Sequence, residues 1–495
     1  MDKRYAQEDI KSIWELIRKL GLWQDFELAM IQAREILGLI PKGTHGKIKI
    51  ILDGHPIDLE LFLELDDQLS HDMNAAVQER RRWLSPELQG YYHEVVTSYD
   101  IEDGPLAIMI TESVVVVDAC LDELERVLIE LALANRYTIK MHYTHGQAAE
   151  VGTLGAEFLA FLQNIRSLRM RLAFLRKDLD YAKMSGATGC YTTITPKEEV
   201  VALNIMNLTP YVGSTQILPR ILWVPIADIM RDIVLLISKL ATDIRLSARS
   251  DFPTMREGFG RKQMGSSVMP HKRNPIKLEQ LVGMARMARE FAAMIQSSPD
   301  TWEYRSIEMS SVERVAWPDL FHVTVYSLRS MVKTLQRLEI YPDAMMEIIL
   351  RTAGAWATSS AKVFLSDQLR NSGLTAEEVY RIIQLASFNA LEPQGLRKQI
   401  RGQKSQSIEE AEAQMRGLMQ EPCGWPRSIE TIISQSDLRF SPKLDLDVDW
   451  IENANRILRN LFDCPEVLAG WRKVFSLGEA IRGEEYLYQQ ILGVK

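Results

Sequence analysis

The chain has 495 residues, of which 46% are hydrophobic and 25% charged, and its formal net charge is −8. These values are typical of a globular protein and exclude a disordered or fibrous one, while the length predicts two or three domains. Lys and Arg are scattered along the sequence and do not gather in a basic stripe, which argues against a nucleic-acid partner.

The amino terminus and the cysteines predict a cytoplasmic protein. The first ten residues, MDKRYAQEDI, lack the apolar core of a signal peptide. The most apolar stretch, around residues 108–133, is interrupted repeatedly by Asp and Glu, so we expect no membrane span. The four cysteines are far apart without a CxxC spacing, which argues against disulfides and against a zinc site. They are Cys120, Cys190, Cys423 and Cys464.

Near the amino terminus, residues 47–61 (KIKIILDGHPIDLEL) differ in pattern from the rest of the chain. Short alternating apolar runs flank Asp53-Gly54, a pair suited to a tight turn. The pattern predicts a small β-hairpin within an N-terminal domain of residues 1–98 that is otherwise helical.

Long amphipathic helices are predicted for the middle of the chain. Similar apolar periodicities cover residues 155–182, 218–248, 276–298 and 316–338. Helices of this length bury their apolar stripes only against one another, so residues 99–341 are predicted to form one all-α bundle. The clearest stripe has spacings of four and three residues with acidic residues between its members. It consists of Val117, Leu121, Leu124, Leu128 and Leu131.

Turn signals cluster at residues 183–196, 249–275 and 392–408. The middle cluster is long, polar and glycine-containing and lies between two predicted helices, which is typical of a functional loop. From residue 342 the helical patterns become shorter, and a polar link rich in Gln and Ser lies near residues 402–407. We therefore predict a separate helical domain over residues 342–495, with an extension at its end.

The long loop contains the string GSSVMPHKRNP at residues 265–275. This string resembles the signature of the fumarase/aspartase superfamily. The resemblance implies a three-domain, all-α, fumarase-like fold in which the loop 255–275 is catalytic. It also implies that Ser266 is the general base that takes a carbon-bound proton. Lys272 and Asn274 then stabilise the second negative charge that builds on the neighbouring carboxylate.

A second segment, Thr144-His145-Gly146-Gln147, is similar to the Thr-His segment of the same superfamily. The resemblance implies that Thr144 contacts the substrate and that His145 protonates the leaving nitrogen, a task that suits histidine because its unperturbed pKa lies near neutral. Taken alone, a histidine at this position is more often a structural residue. His142 completes an H-x-x-H pattern, but it lacks acidic or cysteine companions and does not indicate a metal site.

Four further segments favour the branch of the superfamily that acts on succinylated purine nucleotides. They are Arg4-Tyr5, Ser70-His71-Asp72, Thr97-Ser98-Tyr99-Asp100 and KMSGATG at residues 183–189. Their similarity to segments of that branch implies a set of substrate contacts. These contacts are Arg4, Tyr5, Ser70, His71, Asp72, Thr97 and Ser98.

The string WEYRSIEMSSVER adds a predicted anion site. Ser310 and Glu313 form an S-x-x-E capping box, which predicts that a helix begins there. A helix amino terminus flanked by Arg305 and Arg314 suits a phosphate group. The resemblance implies that Arg305, Ser310 and Arg314 contact the nucleotide phosphate and the succinyl group. A capped helix with exposed arginines is the alternative that explains Ser310 and Glu313 equally well.

The sequence departs from the pattern of this branch near the expected nucleotide end. After Gln216, which matches a substrate-contacting glutamine, Ile217 begins the string Ile-Leu-Pro-Arg where Pro-Arg-Asp is frequent. Ser306 and Met309 stand where many members have Asp and His, and Ser70 replaces an arginine. The departures remove charges from the nucleotide end of the expected site.

The resemblance also implies a homotetramer whose active sites are each built from three subunits, with no cofactor and no metal. The implied substrates are small nucleotides: adenylosuccinate, which gives AMP, and succinylaminoimidazole carboxamide ribotide, which gives AICAR. Fumarate is the shared product. Argininosuccinate lyase and carboxymuconate cycloisomerase are the alternatives within the superfamily, and an inactive lyase-like scaffold is a third. Dependence of activity on a nucleotide substrate separates these interpretations.

Overall fold

The computed structural model describes residues 1–391 and 427–494, which divide into two compact units. Unit 1 comprises Met1–Val127, Phe161–Leu246 and Glu257–Leu338. Unit 2 comprises Leu128–Ala160, Ser247–Arg256 and the described residues from Glu339 onward. The three domains expected from the sequence stay a prediction. The turn cluster at 392–408, the link near 402–407 and Cys423 lie outside the described residues.

Helices dominate the described residues, as the composition predicts. In chain order they are α1 (Glu8–Trp14), α2 (Leu16–Ile36), α3 (Thr44–Asp53), α4 (Leu59–Leu69), α5 (Asp72–Arg81), α6 (Pro86–Gln89), α7 (Ser98–Ala134), α8 (Leu154–Leu175), α9 (Pro196–Ile205), α10 (Val224–Ser247), α11 (Ile276–Gln296), α12 (Glu308–Leu335), α13 (Pro342–Arg351), α14 (Thr358–Gln368), α15 (Ala376–Leu391), α16 (Ile429–Ser434), α17 (Val448–Phe462), α18 (Pro465–Val474), α19 (Leu477–Ile481) and α20 (Glu485–Leu492). Short 3-10 helices cover Arg176–Leu179, Arg220–Leu222, Ala355–Ala357 and Arg482–Glu484.

Three two-stranded sheets account for the strands among the described residues. Strands β1 (Ile139–Thr144) and β2 (Gln147–Thr153) pair antiparallel, and β3 (Tyr181–Ala182) and β4 (Thr209–Pro210) pair parallel. Strands β5 (Met255–Arg256) and β6 (Glu339–Ile340) pair antiparallel. The sheets are small, so the all-α fold class predicted from the sequence is confirmed.

The longest described helix, α7, forms because its predicted apolar stripe is buried. Val117, Leu121, Leu124 and Leu128 are each fully buried. By length and composition alone α7 is apolar enough to cross a bilayer, with a mean hydropathy of 1.7 over its most apolar window, but 56% of that window is buried inside the protein. Such burial is typical of a core helix, because a lipid-facing span leaves its apolar side chains exposed.

The β-hairpin predicted at residues 47–61 is wrong. Helices α3 and α4 occupy this region instead. Ile48 and Leu52 are buried whereas Ile50 is 75% exposed, so the buried positions repeat every four residues and fit a helix. Gly54 does not turn a hairpin; it ends α3, and its N–H donates to the carbonyl of Ile50.

An apolar core in unit 1 packs α2 against α3 and α9, and α4 against α5. Trp23, Phe26, Phe62, Met73 and Tyr92 are among its buried members. This core fixes the start of α5 and the segment before α7. The predicted substrate residues of both segments therefore sit on a packed scaffold.

In unit 2, strands β1 and β2 form a hairpin whose two turn residues are His145 and Gly146. Their φ angles are +53° and +73°, as a two-residue type I′ turn requires. The pairing shifts register between Met141 and Tyr143. At the root of the hairpin Met141 and Val151 are buried in a small apolar cluster, whereas the residues at the turn are exposed.

Candidate active site

A buried ion pair in unit 1 joins the start of α7 to the loop after β3. Lys183 Nζ lies 2.5 Å from Asp100 Oδ1 and donates to the carbonyl of Gly186 at 2.9 Å, and both charged side chains are fully buried. The Asp100 carboxylate also accepts the backbone N–H of Thr97 at 2.9 Å and that of Gly186 at 3.2 Å. The predicted residues Thr97 and Ser98 are therefore held beside the KMSGATG loop.

The KMSGATG loop in turn contacts the segment that carries Gln216. The hydroxyls of Ser185 and Ser214 lie 2.9 Å apart. Gly189 has a φ of +71°, and a side chain there would overlap the carbonyl oxygen of Ser214. Only glycine allows the two segments to approach this closely, so Gly189 sets the position of the segment that leads to Gln216.

Gln216 and Arg305, both predicted substrate residues, lie next to each other. Arg305 Nη1 is 3.5 Å from Gln216 Oε1, and the guanidinium lies 4.2 Å from the centre of the Tyr99 ring. Thr215 Oγ1 donates to the carbonyl of Tyr304 at 3.0 Å, which fixes the two segments together. The Nε of Arg305 is buried and has no hydrogen-bond partner. A buried donor without an acceptor is available to a ligand oxygen.

Two of the residues that depart from the family pattern, Ile217 and Met309, form one apolar cluster with Tyr99 beneath this arginine. Tyr99, Ile217 and Met309 are each at least nine-tenths buried and pack together. Burial, together with the nearby carboxylates of Glu102 and Asp103, raises the pKa of Tyr99 to about 12, so its hydroxyl stays protonated. The structural role of Tyr99 was not predicted from the sequence.

The predicted pair Asp72 and Arg314 forms an ion pair between the start of α5 and the second turn of α12. Burial opposes the charge on Arg314, but the Asp72 carboxylate outweighs it and raises the pKa of the guanidinium. His71 caps α5, because its Nδ1 accepts the backbone N–H of Asn74 at 3.3 Å. Ser70 ends α4 in a left-handed conformation with a φ of +49°.

A cavity of about 280 Å³ in unit 1 adjoins Arg314. Asp72, Ser310 and Arg314 line it together with Lys19 and Glu102. Burial raises the pKa of Glu102 to about 7 and lowers that of Lys19, and the two side chains lie 4.0 Å apart. The sequence analysis missed both residues, because each belongs to an amphipathic helix in which a charged residue is expected to face solvent.

The capping box predicted for Ser310 and Glu313 is wrong. Helix α12 begins two residues earlier, at Glu308, and Ser310 Oγ donates to the carbonyl of Ile307 at 2.8 Å. Glu313 instead accepts from Arg220 Nε at 2.8 Å within a buried cluster, where Arg220 also donates to Asp103 at 2.7 Å. Burial raises the pKa of Glu313. The cluster fixes the start of α12, which carries the predicted anion site.

The loop with the superfamily signature folds back on itself. Ser266 Oγ accepts the backbone N–H groups of Met269 at 3.0 Å and Val268 at 3.4 Å. A side chain at Gly265 would overlap the carbonyl oxygen of Lys272, so this glycine allows the two ends of the signature to meet. Lys272 is exposed and Asn274 partly buried.

The base of this loop is anchored at the amino terminus of α11. The Glu257 carboxylate accepts the backbone N–H groups of Leu278 at 3.1 Å and Lys277 at 3.4 Å. Burial raises the pKa of Glu257. Within the part of the chain that the structure describes, no hydrogen bond joins Ser266 to Gln216 or Arg305.

Arg4 and Tyr5 lie at a different part of α12 from Arg314. The Tyr5 ring packs edge-on against Tyr326 with 5.0 Å between ring centres. Tyr326 follows Arg314 by 12 residues of α12, which is about 18 Å along the axis at about 1.5 Å per residue. Within one chain, therefore, the two predicted phosphate contacts at the amino terminus do not adjoin the Asp72–Arg314 pair.

Thr144 and His145 lie in unit 2 at the exposed tip of the β1–β2 hairpin. Thr144 pairs with Gln147 across the turn. Both side chains are accessible to a ligand. Over residues 1–391 and 427–494, no group of three or more His, Cys, Asp or Glu side chains is placed to hold a metal ion. The described cysteines, Cys120, Cys190 and Cys464, are free.

Comparison with known proteins defines the class of enzyme. A family described as Lyase matches residues 62–289. The fold matches a fumarate lyase from Mesorhizobium sp. BNC1 with a TM-score of 0.77 and 16% identity over the full length of both chains. A 3-carboxy-cis,cis-muconate lactonizing enzyme from Pseudomonas putida matches with a TM-score of 0.71 and 18% identity, covering 99% of this chain and 98% of that one. The chain is a lyase with the fumarase/aspartase fold.

Sequence relatives narrow this class. The adenylosuccinate lyase of Synechocystis sp. is 32% identical over 401 residues, covering 80% of this chain and 90% of the relative. The adenylosuccinate lyase of Aquifex aeolicus is 32% identical over 394 residues, covering 79% of this chain and 89% of the relative. The chain belongs to the adenylosuccinate lyase family.

Proposed function

We propose that this protein eliminates fumarate from adenylosuccinate, giving AMP, and from succinylaminoimidazole carboxamide ribotide, giving AICAR. The observation that carries the proposal is the Gln216–Arg305 pair, whose free Arg305 Nε offers a buried donor to an anionic ligand. The Lys183–Asp100 ion pair holds Thr97 and the KMSGATG loop next to the same region. The names of the relatives support the same substrate.

The proposed reaction breaks one carbon–nitrogen bond and forms one carbon–carbon double bond. Ser266 removes the proton from the carbon next to a carboxylate, the electron pair of that bond becomes the new double bond, and the nitrogen leaves with the electrons of the broken bond. His145 protonates the nitrogen as it departs. Lys272 and Asn274 stabilise the dianion that precedes bond cleavage.

The geometry of Ser266 supports its assignment as the base. A serine hydroxyl is a poor base unless its alkoxide is stabilised. The Ser266 oxygen already accepts two backbone N–H groups, from Val268 and Met269, and such donors favour the charged form of the group they contact. The ammonium of Lys272 supplies positive charge in the same folded loop.

The start of α12 is proposed to bind the nucleotide phosphate through Arg305, Ser310 and Arg314. In the unliganded protein Arg314 is paired with Asp72, so a phosphate dianion must compete with that carboxylate. Arg305 needs no such exchange, because its Nε has no partner. The remaining predicted substrate contacts, proposed to act from the same or neighbouring subunits, are Arg4, Tyr5, Ser70, His71, Thr97, Ser98, Thr144 and Gln216.

We infer a cytoplasmic homotetramer in which each active site combines residues of three subunits. The roughly 18 Å between the Tyr5 contact and Arg314 supports this arrangement, because Arg4 and Tyr5 then serve a neighbouring subunit's site. Large apolar side chains on the long helices are also exposed in the single chain, as an assembly surface requires. They include Val115, Leu133, Met170, Phe174, Leu246 and Val315. Light scattering combined with size-exclusion chromatography is expected to give four chains, and an active monomer would contradict the inference.

The proposed activity is tested by following the ultraviolet change as adenylosuccinate forms AMP and fumarate. Loss of general-base catalysis is worth on the order of a hundredfold or more, so Ser266→Ala is expected to lower kcat by at least that factor. Ser250→Ala is the matched control, since Ser250 is an exposed serine of the same long loop. A Ser266→Ala protein with near-normal turnover would refute the assignment.

Three outcomes, two from turnover assays and one from a binding measurement, separate the alternatives. Activity on argininosuccinate without activity on adenylosuccinate would show that the Arg305–Gln216 pair does not serve a nucleotide. The carboxymuconate cycloisomerase alternative predicts no fumarate from either substrate. Binding of AMP without any turnover would favour a lyase-like scaffold.

A further inference from the structure

The carboxyl-terminal segment of the chain, residues 477–492, packs against the hairpin that carries Thr144 and His145. We call this segment the C-terminal clamp; it consists of α19, the 3-10 turn Arg482–Glu484 and α20. All its contacts described below lie within unit 2. Leu477 packs on the apolar cluster formed by Met141 and Val151 at the root of the hairpin.

Glu484 binds the end of β2 through both carboxylate oxygens. Its Oε1 accepts the backbone N–H of Thr153 at 3.0 Å, and its Oε2 accepts the Thr153 hydroxyl at 2.6 Å. Thr153 Oγ1 in turn accepts the N–H of Ala156 in the first turn of α8 at 3.1 Å. One carboxylate therefore fixes the point where strand β2 becomes helix α8.

The absence of a side chain at Gly152 leaves the space that this contact needs. A Cβ at Gly152 would lie 2.6 Å from Glu484 Oε1 and 2.5 Å from His142 Cε1. Glycine at position 152 thus leaves room for the Glu484 carboxylate beside strand β2.

Tyr488 makes a second attachment, at the end of α7. Its buried hydroxyl donates to the carbonyl of Ala132 at 3.0 Å, and its ring lies beneath the Arg136 guanidinium, 4.9 Å from the ring centre. Arg136 also forms an ion pair with Glu485. A side chain at Gly155 would overlap the Tyr488 hydroxyl, so the start of α8 is shaped around this tyrosine.

These attachments matter because the tip of the hairpin is exposed and the hairpin is held at its root, where the clamp packs together with α13 and the turn Ala355–Ala357. Residues 143–148, which include the turn, are all exposed. A two-stranded hairpin is marginally stable on its own, and a two-residue turn transmits the direction of the strands to the residues at its tip. The orientation of His145 is therefore set at the buried root, where the clamp binds.

We propose that the C-terminal clamp is a positioning device for the general acid, and that Glu484 and Tyr488 are positioning residues that act on His145 through the root of its hairpin. The proposal rests on the proposed function, in which His145 protonates the leaving nitrogen. It assigns a role to part of the carboxyl-terminal extension for which the sequence alone provided none. Small displacements of a catalytic group reduce the rate steeply while leaving binding by other groups intact.

The test compares Glu484→Ala, Glu484→Gln and Tyr488→Phe in the full-length protein. Glutamine keeps an acceptor for the Thr153 N–H and a polar group for its hydroxyl, so it serves as the conservative rescue. Tyr486→Ala is the matched control, because Tyr486 lies on the same helix and is 64% exposed. Hydrogen exchange of residues 139–153, kcat and KM for fumarate release, and the pH profile of kcat are measured for each.

Glu484→Ala is expected to speed exchange of the hairpin amides about tenfold and to lower kcat on the order of tenfold with KM changed less than about twofold. Glu484→Gln should recover most of both effects, Tyr488→Phe should give a smaller change of the same kind, and Tyr486→Ala should match the wild type. Unchanged exchange in α12 shows that the variants remain folded.

Faster hairpin exchange with an unchanged kcat would overturn the positioning role. Unchanged exchange of the hairpin amides in Glu484→Ala would show that the C-terminal clamp does not order the hairpin. A wild-type protein that releases no fumarate refutes the proposed function instead, and the exchange measurements then decide on their own whether the clamp orders the hairpin.

Discussion

The Lys183–Asp100 ion pair offers the most direct test of how this site is held together. Both side chains are fully buried and their charged atoms lie 2.5 Å apart. Lys183→Met removes one charge at similar volume and leaves the other in the interior. Breaking a buried pair in this way costs about 3–5 kcal/mol. Asp100 keeps the N–H groups of Thr97 and Gly186, so we expect the lower end, about 3 kcal/mol.

Native-state hydrogen exchange at Gly186 is the appropriate assay, because its N–H donates to Asp100 at 3.2 Å and reports local opening directly. A single global unfolding free energy is a poor measure for a chain with two compact units. A loss of about 3 kcal/mol corresponds to roughly 150-fold faster exchange of this amide. KM for adenylosuccinate should rise in parallel, because Thr97 and the KMSGATG loop lose their fixed positions.

The double variant Lys183→Met with Asp100→Asn tests whether the faster exchange at Gly186 comes from the unpaired Asp100 charge. It removes both charges while asparagine still accepts the N–H of Thr97, so exchange at Gly186 should return most of the way to the wild-type rate. Lys197→Met, at an exposed lysine near the start of α9, should leave exchange unchanged. Exchange at Gly186 within threefold of the wild type in Lys183→Met would refute the reasoning.

Three further predictions concern the loop and the nucleotide end. Gly265→Ala pushes the carbonyl of Lys272 away and should lower kcat about a hundredfold. Gly260→Ala, in the same loop, meets only ordinary contacts and should leave kcat unchanged. Steady-state kinetics of the two variants tests this difference. Burial raises the pKa of Glu102 from 4.5 to about 7, so its protonated form is favoured in the fold. The free energy of local opening of α7 around Glu102, from hydrogen exchange corrected for the intrinsic rate at each pH, should therefore fall as pH rises from about 4.5 to 7, by up to about 1.4 kcal/mol per pH unit. Glu102→Gln should flatten this dependence, and an equal slope in both proteins would show that another group titrates. Tyr99→Leu removes the ring under the guanidinium and should raise KM about three- to thirtyfold with kcat little changed, while Tyr99→Phe should stay near the wild type.

The helices were predictable from the sequence because their apolar stripes are long. The stripe from Val117 to Leu128 is buried as its spacing indicates. Short segments were not predictable in the same way. Around Ile48 and Leu52 an apparent alternation with a terminal Asp-Gly pair suggested a hairpin, but burial follows a period of four and the tertiary core, not the local turn signal, decides the structure.

The true hairpin was missed although its sequence contains a signal for it. Ile139, Met141 and Tyr143 alternate with polar residues and lead into His145-Gly146, a pair that suits a two-residue turn. The Thr-His segment was interpreted for the chemistry of its histidine and not for the turn that His145-Gly146 favours.

Residues of the candidate site were predictable where they lie in sequence strings that resemble those of the family. Contacts that depend on packing between distant segments were not predictable. Gln216 and Arg305, 89 positions apart, do come together. The Tyr99–Ile217–Met309 cluster joins three separate segments, and no periodicity within any one of them reveals it. Glu313 fitted a local capping pattern, but a buried arginine from another segment outcompetes the helix end for its carboxylate.

The two-residue turn at His145 and Gly146 restricts the length of the loop that presents the histidine. A left-handed backbone at both positions restricts which residues are tolerated there, and side chains along a strand alternate between faces. One residue inserted in β1 between Met141 and Thr144 would turn Thr144 to the opposite face of the hairpin relative to the buried root. If His145 is the proton donor proposed above, variants of this turn are expected to keep activity when residues are substituted and to lose it when residues are inserted.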